Sequence, residues 1–117
     1  MFGLILGIIG AVALGCLVAY TVILTINWLK NKIAQKLRNP LTDEVAVGDI
    51  NKLIKGCTNK KTLSELEALA NQGYTNFIAD LDKNENIIGN VDMIKGYGND
   101  SQVDDYIGSN GLVKVSY

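Results

Sequence analysis

No histidine occurs in this chain of 117 residues. That absence removes the Ser-His-Asp and Cys-His catalytic arrangements, along with most zinc and haem sites. The two cysteines, Cys16 and Cys57, are too few for a disulfide scaffold or an all-cysteine structural zinc site. Only one proline is present, Pro40, and no charged side chain occurs anywhere in residues 1–29. The length sets one globular domain as the ceiling.

Charge divides the chain into three unlike parts. After the neutral opening, residues 30–38 carry four basic groups (Lys30, Lys32, Lys36, Arg38) and no acid. Residues 39–117 carry the remaining seven basic and all twelve acidic side chains, a balance of −5 behind the overall −1. That sign is wrong for a nucleic-acid phosphate backbone, so a nucleic-acid partner is not expected.

The run from Phe2 to Leu29, FGLILGIIGAVALGCLVAYTVILTINWL, spans 28 uncharged residues. As one helix it would reach about 42 Å, and a bilayer core needs only about 20 residues. The sequence therefore predicts a single N-terminal transmembrane helix with a basic juxtamembrane extension over 1–38. Trp28 and the basic collar Lys30, Lys32, Lys36 and Arg38 are expected at lipid headgroups, with snorkelling side chains and no selectivity for one lipid. The positive-inside bias then places the N-terminus outside and the bulk of the chain in the cytoplasm of a cell-membrane protein. A signal peptide fits poorly, because the start lacks Lys and Arg and the apolar run is too long. Ala13-Leu14-Gly15-Cys16 resembles a lipobox, but the apolar run continues well beyond Cys16.

Gly3, Gly7, Ala11, Gly15 and Ala19 recur every four residues. On one helix they would form a stripe of small residues that admits another helix closely. The expected partners are therefore membrane lipids and other transmembrane helices, self or different. Leu29, Ile33 and Leu37 predict that the helix runs on until Asn39-Pro40 stops it.

Residues 39–48 read as a linker or a first strand, and 49–117 as a small acidic α+β domain. Asp49 is expected to cap a short helix carrying Ile50, Leu53 and Ile54. Thr62-Leu63-Ser64-Glu65 matches a capping box ahead of a helix that Gly73 ends. Residues 74–81 and 87–94 read as two strands of a hairpin around the polar turn 82–86. A loop over 95–100, a helix from Ser101 and a terminal strand from Leu112 follow. The fold class is α+β, in the order α-α-β-β-α-β, as a small antiparallel or mixed sheet with helices on one face, in which a crossover through the 101–108 helix would allow the last strand to run parallel to a neighbour.

No pattern here carries strong catalytic chemistry. Asp80, Asp82 and Asn84 occupy positions 1, 3 and 5 of an EF-hand-like loop. Glu85 stands where that loop needs Gly, however, and Val91 where it needs a bidentate Glu. A hairpin turn is the expected reading and calcium the weaker one. Gly96-Tyr97-Gly98 is too short for a dinucleotide loop. Cys57 has Lys60 and Lys61 nearby but no imidazole base, so an inert thiol is expected. Asp104-Asp105 reads as an exposed acidic face. No cofactor is expected. The sequence thus predicts a non-enzymatic, single-pass assembly protein whose cytoplasmic domain docks a protein partner. The alternative is a membrane-active toxin or small effector with pore-forming or hydrolytic activity.

Overall fold

The neutral run does not form one helix, and its residues show why. In Leu17–Leu24 (LVAYTVIL), Val18, Tyr20, Thr21, Val22 and Ile23 are β-branched or aromatic, which suits a pleated strand better than a helix. Just before them, Gly15 adopts φ +77°. The Cys16 N–H donates to the Ala11 carbonyl (2.8 Å) and the Gly15 N–H to the Val12 carbonyl (3.1 Å). These are the two hydrogen bonds of a Schellman stop, and glycine meets its left-handed requirement without a Cβ clash. Thr25 then starts a new helix, its side chain accepting from the Trp28 N–H.

A computed structural model describes residues 2–99 and 101–116. Along the chain run α1 (Phe2–Ala13), β1 (Leu17–Leu24), α2 (Ile26–Leu37), β2 (Glu44–Asp49), α3 (Ile50–Gly56), α4 (Lys60–Asn71), β3 (Asn76–Leu81), β4 (Ile87–Asn99), α5 (Ser101–Ile107) and β5 (Leu112–Val115). The architecture is α+β, and the expectation of a transmembrane helix is corrected. No helix among the described residues is long and apolar enough to cross a membrane. At twelve residues, α1 spans only about 18 Å.

The five strands form one sheet in the order β1-β4-β3-β2-β5. β1 runs parallel to β4, and the other three pairs are antiparallel. The sheet is thus mixed through its first strand, and β5, for which a parallel course was open, lies antiparallel to β2. β4 also outruns its expected end. Its last residues pair with β1 as far as Leu24↔Asn99, so the segment expected as a loop is extended. Asp100 of that segment and Tyr117 of the expected last strand lie outside the described residues.

Helices cover both faces of the sheet. On one face Leu4, Ile5 and Ile8 of α1 join Leu53, Leu66 and Leu69 of α3 and α4 over Phe77, Val91 and Met93. On the other, Leu29, Ile33 and Leu37 of α2 pack with Val103 and Ile107 of α5 over Val45, Val47, Ile78 and Ile94. Residues 2–37 therefore contribute to both cores. The cap on α3 is Asp49, whose carboxylate accepts from the Lys52 N–H. The cap on α4 is Asn59, three residues before the expected Thr62, and the Thr62 N–H is what it holds.

Candidate functional site: an uncharged edge strand

β1 and β5 are the two edges of the sheet. β5 is four residues long and carries Lys114, two features that discourage strand addition. β1 has neither safeguard. It is eight residues long and holds no charge and no proline. Two of its aliphatic side chains stand in solvent, Val18 at 40% and Ile23 at 67% exposure, and Leu14 just before it is 82% exposed.

The direction of its backbone follows from one bond. The Cys16 carbonyl faces β4, where it accepts from the Val91 N–H (3.1 Å). Alternation along a strand then turns the N–H and C=O groups of Leu17, Ala19 and Thr21 toward the open side. Beside the edge, Tyr20 meets α2. Its ring lies 5.7 Å from that of Trp28 in an edge-to-face contact. The Lys32 ammonium donates to the Tyr20 hydroxyl (3.0 Å) and sits 4.3 Å from the Tyr20 ring centroid.

Of the expected headgroup residues, Trp28, Lys32 and Lys36 make contacts within the fold. Lys32 and Trp28 buttress β1. Lys36 lies between two carboxylates, 2.8 Å from Asp80 Oδ1 and 3.2 Å from Asp92 Oδ2, with its side chain 14% exposed. Burial pulls the Lys36 ammonium down, but the hydrogen bond to Asp80 and the charges of Asp92 and Asp80 outweigh it and hold the group above the ordinary lysine value. Lys30 and Arg38 are exposed. Half of the basic collar is therefore used inside the fold.

The small-residue stripe is likewise divided. Gly3, Gly7 and Ala11 lie on α1, Gly15 in the Schellman turn and Ala19 on β1. The large aliphatics Leu4, Ile5 and Ile8 face the core instead, while Gly3 is exposed. Gly7 does sit close to a neighbour, since a Cβ there would lie 3.0 Å from Ile87 Cδ1.

The calcium candidates serve the fold as well. Asp80 binds Lys36 and accepts from the Thr42 hydroxyl (2.9 Å). Asp82 Oδ1 accepts from the N–H groups of Asn84 (2.8 Å) and Asn86 (2.9 Å), closing the hairpin turn. Among the described residues no group of three or more His, Cys, Asp or Glu side chains is placed to hold a metal ion.

A cleft of about 540 Å³ opens beside α3 and the α3–α4 connection, lined by Ile5, Leu53, Lys55, Cys57 and Asn59 among others. Lys52 on its wall is already engaged, donating to the carbonyls of Asp104 (3.1 Å) and Gly108 (3.2 Å). The Cys57 thiol donates to the Asn59 carbonyl (3.5 Å). Sequence reasoning located the residues of the β1 edge but gave them a helical role, and the β-branched cluster with Gly15 ahead of it was the signal for a strand. Compared with family models, curated proteins and solved structures, the chain matches none.

Proposed function

We propose that this chain is a non-enzymatic assembly protein that docks through the open edge of β1. One observation carries the reading: an eight-residue edge strand, free of charge and proline, has no strand paired to its outer side among the described residues and exposes two large aliphatic side chains, Val18 and Ile23. Such an edge is a template for another strand. Backbone pairing supplies affinity, and the side chains of alternate residues supply selection.

The test uses Thr21→Pro. Proline there deletes one outward N–H while leaving the β4-facing ladder groups, a substitution that edge strands tolerate. Native mass spectrometry of the tagged full chain, recovered from its own cells, should show assembled species for the wild type. The variant should appear free, with an unchanged far-UV circular dichroism spectrum. Equal assembly of both forms would remove the edge from the reading.

A further inference from the structure

We infer that the cleft beside α3 and the α3–α4 connection is a binding site for a small amphiphilic anion, an apolar body ending in a carboxylate or phosphate head. None of the residues lining the cleft lies on β1, so the inference stands apart from the edge reading and does not depend on it.

At about 540 Å³ the cleft falls within the span of small-molecule sites, about 300–1,000 Å³. Part of its lining is apolar. Ile5 of α1 and Leu53 of α3 reach it, and the aliphatic stems of Lys52 and Lys55 extend that surface. Among the described residues no Asp or Glu lines it. Its two lysines are in different states. Lys52 is held by the Asp104 and Gly108 carbonyls and stands 3.8 Å from the Asp104 carboxylate. Lys55 is exposed and has no ion-pair partner among the described residues, so the cleft keeps an uncompensated positive charge.

Hydrogen bonding points the same way. Several acceptors at this wall are already used. The Asn59 carbonyl accepts from the Leu63 N–H (2.9 Å) and the Cys57 thiol (3.5 Å), and Asn59 Oδ1 accepts from the Thr62 N–H (3.0 Å). The Ile54 carbonyl accepts from the Cys57 N–H (3.2 Å). Donors are left over. With Oδ1 engaged, the Asn59 side chain offers chiefly its NH2 group. Thr62 is 2% exposed, yet its hydroxyl has no hydrogen-bond partner among the described residues. The fully sealed side-chain polar atom without a partner there is Asn76 Oδ1, so the Thr62 hydroxyl opens onto the cleft that its residue lines. A hydroxyl so placed is costly to leave unpaired, and an oxygen of the ligand satisfies it. Two helix ends border the same wall, the positive end of α4 and the negative end of α3. Their dipoles offset each other, so the formal charge of Lys55 decides the sign.

The experiment follows the backbone amides of the full isotope-labelled chain by NMR at neutral pH while octanoate, octyl phosphate or octanol is added. Both anions should shift the amides of Cys57, Asn59, Thr62 and Asn110 saturably in the low millimolar range. Octanol, with the same tail and no charge, should bind about tenfold more weakly, the loss expected for a hydrogen bond to a charged group. Tighter binding of octyl phosphate assigns the head to a phosphate ester, and tighter binding of octanoate to a carboxylate; either result upholds the site. Lys55→Gln changes an exposed side chain and should weaken both anions about fivefold while leaving octanol unchanged. Thr62→Val keeps the shape, removes the hydroxyl and should weaken the anions by about the same factor. Octanol binding as tightly as the anions, saturable shifts confined to another part of the chain, no saturable shift at all, or anion affinities unmoved by Lys55→Gln would each overturn the inference.

Discussion

Gly48 lies directly across from Phe77 in the β2–β3 ladder, and the ring fills the space a side chain would take. A Cβ on Gly48 would lie 2.2 Å from two ring carbons. The aromatic ring cannot move far, because Phe77 is 1% exposed in the core under α3 and α4. Gly48→Ala should therefore cost about 3 kcal/mol, at the upper end for overpacking, measurable as a lower urea midpoint with an unchanged slope. Gly15 acts differently. Its role is conformational, since a φ of +77° lets α1 end and β1 begin. The same residue was legible in the sequence as part of a small-residue stripe, and spacing alone did not distinguish a packing surface from a helix stop.

At the scale of the element, α2 shows how a correct pattern can serve another purpose. Leu29, Ile33 and Leu37 were legible as an apolar helical stripe, and all three are buried. Their basic neighbours read locally as a lipid-facing collar, because the acids that meet Lys36, Asp80 and Asp92, lie 44 and 56 positions downstream of it. Lys36→Met should cost about 3 kcal/mol, because it strands two buried carboxylates. The pH dependence follows from the raised Lys36 value. Its contribution is complete below the ordinary lysine value near 10.5 and is lost as pH rises through the higher folded value. Thermal melts from pH 7 upward should show the wild type falling toward the variant only in that alkaline window. A constant gap between them would remove Lys36 as the titrating group.

For the whole molecule, the decisive question is whether residues 39–117 fold alone. The sequence suggested a rod followed by an independent domain. In the structure, residues 2–37 place α1 against one core and α2 against the other, and β1 covers β4. A chain beginning at Asn39 loses Leu4, Ile5 and Ile8 from one face and Leu29, Ile33 and Leu37 from the other. It also leaves Asp80 and Asp92 without Lys36. Such a fragment should lack a cooperative melt and bind a hydrophobic dye, whereas the full chain should melt in one transition. A sharp two-state melt of the fragment would show that the N-terminal elements are dispensable.

The local order of α3, α4, the β3–β4 hairpin and α5 was determined by the sequence itself. Caps, turn residues and apolar spacing act over a few positions, and Asp49, Asp82 and Leu69 carry those signals wherever the segment lies. The sequence also determined that the first 29 residues would carry no charge, which is the root of the proposed assembly role. Only the tertiary structure decided what that neutrality is for. Helix or strand for an apolar run is settled by what it packs against, and β1 became a strand beside an extended β4 that lies some 70 residues away. Which edge of the sheet would stay open, and which lysines would be spent inside the fold, are likewise set by long-range pairing that no local pattern encodes.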